Sequence, residues 1–177
     1  MQNNKPILPC PEKIMAKFSL TKKHFWITFL QPDDSAALHK IHQSCFIPTW
    51  KEQTFDTFLK DPSIFGYKAC PIGQPHQIFG FCLCRLILDE AEIITIAVHP
   101  HHRQQGIGYF LIDHTLRHLY HERAKKLFLE VEETNLSALA LYQRFKFKKI
   151  SKRLAYYPSK DGFVDAIIMQ KTFKQTD

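Results

Sequence analysis

Hydrophobic and polar positions alternate along this chain with two periods, close to two and close to 3.6, and the switches between them predict its elements. Residues 24–30 (HFWITFL) are rich in aromatic and β-branched side chains and predict a strand. It ends at Gln31-Pro32-Asp33-Asp34, a helix-start signal in which proline suits the first turn and the acids complement the helix dipole. Ala36, Leu38, Ile41 and Cys45 carry the helix that follows. A second short helix is predicted over 51–59, with Trp50, Phe55, Phe58 and Leu59 as its apolar side. Strands are predicted at 64–70, 77–88 and 92–98, parted by Pro71, Gly73 and Pro75 and then by Asp89-Glu90. A loop at 99–105 leads into a helix over 106–123, patterned by Ile107, Leu111, Ile112, Thr115, Leu116 and Leu119. Residues 127–131 predict a short apolar strand and 135–145 another amphipathic helix, and two strands close the chain. The order β-α-α-β-β-β-α-β-α-β-β lacks strict βαβ alternation and predicts a mixed α/β (α+β) sheet.

Residues 1–20 break this regularity. They hold Pro6, Pro9 and Pro11, show no period, and predict a loosely held N-terminal tail ahead of a single domain at 21–177. A length of 177 residues suits one domain, and 45% apolar with 15 Phe gives it ample core material. No apolar run reaches the roughly 18–20 residues of a membrane span, and the first residues lack the apolar core of a signal peptide. A cytoplasmic location away from membranes is therefore expected.

Five cysteines show no disulfide spacing. Cys82 and Cys84 sit two apart in a predicted strand, so both point to one face and are expected to be buried thiols rather than zinc ligands. The net charge of +7 admits nucleic acid, an acidic protein or an anionic cofactor as partner. Lys and Arg are scattered in short groups, and no RNA-binding signature with interleaved aromatics accompanies them, so direct nucleic-acid binding is not expected. His114, His118 and His121 share one helix face by spacing. Helical His pairs can bind zinc, but no carboxylate motif goes with these, and a solvated face is expected with no metal site.

The chemistry concentrates where the strand at 92–98 runs through His99-Pro-His-His-Arg103-Gln-Gln-Gly106-Ile-Gly108 into a helix. Glycines let the backbone approach a ligand, and a helix N-terminus offers unpaired N–H groups and a favourable dipole, as a phosphate requires. The spacing fits neither the dinucleotide nor the Walker pattern. Taken alone, the segment serves a phosphate site or a plain glycine-rich helix start equally well.

Arg103-Gln104-Gln105-Gly106-Ile107-Gly108 resembles the Arg/Gln-x-x-Gly-x-Gly/Ala pyrophosphate loop of the GNAT acetyltransferases. The resemblance continues through Leu129-Glu130-Val131, Asn135, Ala140-Leu141-Tyr142, Phe145 and Phe147. It then takes in Tyr156-Tyr157-Pro158, Asp161-Gly162 and Asp165-Ala166-Ile167-Ile168-Met169, an order similar to that of the RimI branch, which acetylates a ribosomal protein. It is dense over 89–169, loose over 24–88 and absent before that.

The resemblance implies the GNAT acyl-CoA N-acyltransferase fold, a mixed and mostly antiparallel sheet flanked by helices. It implies acetyl-CoA as co-substrate, its pantetheine arm held by the backbone of Ile96, Ala97 and Val98. Arg103, Gln104, Gln105, Gly106, Ile107, Gly108 and Tyr109 would surround the pyrophosphate, and Asn135 would bond the cofactor further along. Glu130 matches the family's proposed general base and Tyr142 its general acid. The implied acceptor is a protein N-terminus, the alanine of a small-subunit ribosomal protein, met by Trp50, Tyr156, Tyr157 and Asp165, with the enzyme a monomer or weak dimer.

These roles make chemical sense. An α-amine with a pKa near 7.7–8.0 is mostly protonated at neutral pH and needs a base. A strand N–H such as that of Val98 can meet the oxyanion, and a phenol can protonate the departing thiolate. Outside the resemblance, Glu130 also fits a strand-end acid and Tyr142 a helix aromatic. Lysine or small-amine acetylation, and a module that only binds acyl-CoA, remain alternatives. The chain departs from the family where Lys146 replaces a glycine and where His99, His101 and His102 replace acids.

Overall fold

The computed structural model describes residues 24–159 and 162–174. The tail expected at 1–20 lies outside them. The expected element order is found in full. Strand β1 (Phe25–Phe29) leads through a 3-10 turn (Pro32–Asp34) to α1 (Ser35–Cys45) and α2 (Glu52–Lys60). Next come β2 (Ile64–Pro71), β3 (Gly80–Ile87) and β4 (Glu90–Val98), then α3 (Ile107–His121), β5 (Lys126–Glu132), α4 (Leu136–Arg144), β6 (Lys148–Ser159) and β7 (Gly162–Thr172). Seven strands form one sheet in the order β1-β2-β3-β4-β5-β7-β6, antiparallel throughout except between β4 and β5.

Alternation along the strands feeds two cores. On one face α3 and α4 cover a large cluster that takes Cys82 and Cys84 from β3 and Leu127, Leu129 and Val131 from β5. On the other, α1 and α2 cover Phe81, Leu83 and Ala97 around Leu38, Ile41 and Phe55. Both β3 thiols are fully buried on one side, as expected, and burial pushes Cys82 up to about 12 and Cys84 well above the ordinary thiol range.

Strand β4 serves both cores. Cys84 pairs with Ile93 and Leu83 with Thr95, so Ile94 is an extra residue with no partner in β3. A one-residue insertion flips every later side chain. Ala91 and Ile93 therefore face the α3 side, whereas Ile96 and Val98, not Thr95 and Ala97, return to it beyond the bulge.

The start of α1 is tied to the sheet. Lys68 Nζ donates to Asp34 Oδ1 at 2.6 Å with both side chains almost wholly buried, and the Gln31 N–H donates to Asp34 Oδ2 at 2.6 Å. At its end, α4 closes in a Schellman motif. The Phe147 N–H donates to Tyr142 O and the Lys146 N–H to Gln143 O, with Lys146 left-handed at φ 63°. The Lys that stands in place of the family's glycine thus occupies the position where glycine is least strained.

The solvated histidine face is corrected. His118 stacks on Phe65 at 4.1 Å and its Nδ1 lies 3.3 Å from the Tyr67 hydroxyl. His114 Nδ1 bonds Phe110 O, and its ring lies 5.8 Å from Tyr67. Both rings pack on aromatics projecting from the sheet, and only His121 is exposed. Burial holds His118 below the ordinary histidine range, Glu122 opposing and His121 adding to the shift.

Candidate active site

The sheet is split at its parallel seam. β4 and β5 pair only from Glu90/Lys126 to Glu92/Phe128, after which both strands continue apart. The bulge at Ile94 falls just where they separate. The His99 N–H donates to Phe79 O at 2.8 Å, which makes that pair hydrogen-bonded and, two residues back, Ala97/Phe81 as well. Ala97 therefore turns its backbone groups to β3, while Ile96 and Val98 turn theirs into the gap. Of the three residues expected to hold a pantetheine arm, Ile96 and Val98 turn main-chain groups into the gap and Ala97 does not. Val98 O is further engaged by the Cys45 thiol at 3.4 Å and by Arg103 Nε at 3.3 Å, which leaves the Val98 N–H facing the gap.

Beyond β4 the chain makes a 3-10 turn (Pro100–His102) and enters α3. Gln104 (φ 61°) and Gly106 (φ 80°, ψ 0°) are left-handed, and no side chain caps the helix. Its first intrahelical bond runs from the Phe110 N–H to Gly106 O at 3.1 Å, so the N–H groups of Ile107, Gly108 and Tyr109 project from the helix end beside the gap. That uncapped end, with a glycine supplying the turn, fits a pyrophosphate. A Cβ on Gly108 would lie 3.3 Å from Leu141, so this glycine also lets α3 and α4 approach.

Polar side chains of the loop bond to neighbouring groups while staying at the surface. Arg103 Nη2 donates to Cys45 Sγ at 3.6 Å and Gln105 Nε2 to His101 O at 3.4 Å. His102 stacks on Phe79 at 3.8 Å; burial first, then His99 and His101, holds it below the ordinary histidine range. Tyr109 packs on Phe145 at 4.7 Å under the Arg144 guanidinium. Asn135 caps α4, its Oδ1 accepting from the Ala138 N–H at 3.1 Å and from the Ser137 hydroxyl at 3.0 Å, which leaves its amide nitrogen to meet a ligand.

Glu130 stands two residues past the last β4–β5 pair. Its neighbours Leu129 and Val131 enter the α3-side core, so its carboxylate projects on the opposite face. There it lines an open groove of about 530 Å³ with Arg85, Glu92, Phe128 and Arg153. Arg153 Nη1 donates to Glu130 Oε1 at 2.7 Å, and the same guanidinium lies over the Tyr156 ring at 5.3 Å. Arg153 is the residue missed from the sequence: it reads there as one more scattered cation, and only the β6–β7–β5 register brings it across to Glu130. Tyr142 is buried on the α3 side, its ring 5.7 Å from Phe147. The two candidate catalytic residues thus occupy opposite faces of the sheet.

The expected acceptor residues are more dispersed. Trp50 is half-buried in the second core, stacked on His42 at 4.7 Å. Tyr156 is 46% exposed beside Arg153. Tyr157 pairs with Val164, and its side chain lies outside the described residues. Asp165 is engaged on both oxygens: Oδ1 accepts the Ala155 N–H at 2.8 Å and Oδ2 meets Lys152 at 2.6 Å, contacts that hold its carboxyl below the usual range. It pins the irregular stretch between Arg153 and Tyr157, where Ala155 is left-handed, rather than standing ready for an amine.

The profile of the acetyltransferase (GNAT) family matches residues 35–147. The [ribosomal protein bS18]-alanine N-acetyltransferase of Escherichia coli (strain K12) is 34% identical over 143 residues, 81% of this chain and 94% of that protein. The crystal structure of the ribosomal-protein-S18-alanine N-acetyltransferase from Escherichia coli superimposes with a TM-score of 0.80 at 31% identity, covering 86% of this chain and 96% of that one. Arabidopsis thaliana NAA60 in complex with acetyl-CoA shares the fold, with a TM-score of 0.75 at 18% identity over 84% of this chain and 98% of that one. The split seam, the uncapped helix start and these relatives agree: the chain belongs to the GNAT acetyltransferase family.

Proposed function

We propose that this enzyme transfers the acetyl group of acetyl-CoA to the α-amine of a protein N-terminus, the alanine of a small-subunit ribosomal protein, in a ternary complex. The observation that carries this reading is that Glu130 stands just past the last β4–β5 pair, where the strands part, with its carboxylate on the face away from the α3-side core. The name of the Escherichia coli relative supports the acceptor.

Ile107, Gly108 and Tyr109 bind the pyrophosphate through their N–H groups, and Ile96 and Val98 hold the pantetheine arm along the strand edge. When bound, acetyl-CoA supplies an activated acyl thioester. Glu130, on the groove face, takes the proton of the ammonium so that the nitrogen lone pair can form the C–N bond. The Val98 N–H meets the charge that develops on the carbonyl oxygen. Tyr142, on the opposite face, gives its proton to the sulfur as the C–S bond breaks; the second proton, shed by the nitrogen as it becomes an amide, passes to solvent, from which the phenolate is reprotonated. Acid and base on opposite faces suit a reaction whose amine and leaving group stand on opposite sides of one carbonyl. Arg153 holds Glu130 by one oxygen and leaves Oε2 for the amine.

The test is CoA release with a peptide beginning Ala-Arg, beside the same peptide with a blocked N-terminus and an internal lysine. Turnover on the free N-terminus alone is expected. Turnover on the blocked peptide would move the acceptor to lysine, and silence on both with acetyl-CoA bound would move it to a small amine or to binding without chemistry. Glu130→Gln is expected to lower kcat/KM by about 10²–10⁴-fold, with Tyr142→Phe lowering kcat. Wild-type turnover in both variants would refute the assigned roles.

A further inference from the structure

A second groove, of about 930 Å³, runs between the outer face of α3 and strands β6 and β7. Three separate stretches of chain supply its cations. Arg117 comes from α3, Lys146 and Lys148 from the turn after α4 and the start of β6, and Lys171 and Lys174 from the end of β7 and beyond. Asp113 is the carboxylate that lines it, and Arg117 already holds Asp113 at 2.8 Å. Among the described residues the four lysines form no ion pair. Lys171 is held below the ordinary lysine range by burial and by Lys146, as crowded like charges require, and its Nζ donates to Phe145 O at 2.9 Å. Apolar surface is interleaved: Tyr120 is 50% and Ile150 49% exposed.

We propose that this groove binds the backbone of single-stranded RNA, apart from the acetyl-transfer site. Lysines are compact point charges suited to successive phosphates, whereas carboxylates favour the paired fork of arginine, and the arginine here is already engaged. The cations line a concavity, which a strand can enter and a flat bilayer cannot. Tyr120 supplies a ring on which a base can stack. The groove borders α3 from Asp113 to His121, whereas the candidate cofactor loop lies at the helix's other end.

The experiment is fluorescence anisotropy of a labelled twelve-nucleotide uridine strand with the full-length protein across a salt series. Saturable binding is expected at low salt, with log Kd changing by about 0.7 per phosphate contact for each log unit of salt. Lys148→Glu with Lys174→Glu should weaken binding at least tenfold and lower the salt slope by about 1.4, leaving peptide acetylation unchanged. Tyr120→Ala should weaken it about tenfold with the slope kept. Binding that is absent, indifferent to the double reversal, or displaced by saturating acetyl-CoA would overturn the proposal. So would equal, equally variant-sensitive binding of polyglutamate or of phosphatidylserine-containing vesicles, which would assign the groove to acidic proteins or to membranes.

Discussion

His42 shows how one side chain ties a loop's shape to pH. It is buried between Phe46 and Trp50, at 4.5 and 4.7 Å, and its Nδ1 accepts the Trp50 N–H at 3.3 Å. Burial, with His39 adding a smaller effect, lowers its pKa from 6.5 to about 4. An unfolded chain takes up this proton first as pH falls, so the stability contributed by neutral His42 is complete above the unfolded pKa. It is lost as pH falls from 6.5 through about 4. Between pH 7 and pH 5 the loss is about 1 kcal/mol after allowance for nearby solvent. His42→Phe keeps the ring and removes the proton, so urea midpoints at the two pH values should differ less for that variant than for wild type. Nothing in the local sequence marks His42 as buried, because its burial depends on Trp50 folding back from the loop after Pro48. Arg153 is hidden in the same way: its partner Glu130 is reached through two strand registers rather than along the chain.

Among the elements, α4 joins a local signal to a candidate catalytic group. Tyr142 O accepts from the N–H groups of Phe145 and Phe147, and the Phe147 ring lies against the tyrosine, so the cap that ends the helix also fixes the residue. Lys146 takes the left-handed position at a cost that glycine would avoid. Lys146→Gly should raise stability by about 1 kcal/mol, read as a higher Tm, with kcat unchanged. This position was legible only through the resemblance, in which Lys146 stands where the family has a glycine; Phe145-Lys146-Phe147 by itself carries no cap signal. The bulge in β4 was not legible. Residues 92–98 read as one apolar run without glycine, and nothing in them shows that Ile94 is looped out. A strict two-residue period through Ile93 would put Thr95 and Ala97 on the α3 side, where the structure has Ile96 and Val98.

For the whole molecule, hydrophobic period and turn residues were enough to order the elements, because each is a local property. Which strands touch is not, and the parallel seam between β4 and β5 follows from α3 crossing over the sheet. The basic groove is likewise a product of assembly, its cations lying far apart in sequence. The split itself predicts a pattern of amide exchange. Without ligand, the Ile96 and Val98 amides should exchange quickly and that of Ala97 slowly. Saturating CoA should protect the first two and leave Ala97 as it was. Equal protection of all three in the free protein would show that the seam is closed in solution.

Strands that part in this way give the sheet free edges at its centre as well as at its rim. The start of α3 lies on one face of that opening, and Arg153 and Glu130 lie on the other. Under the proposed function the two reactants would reach the sheet from opposite faces, and the order in which they come and go would be left to their own affinities.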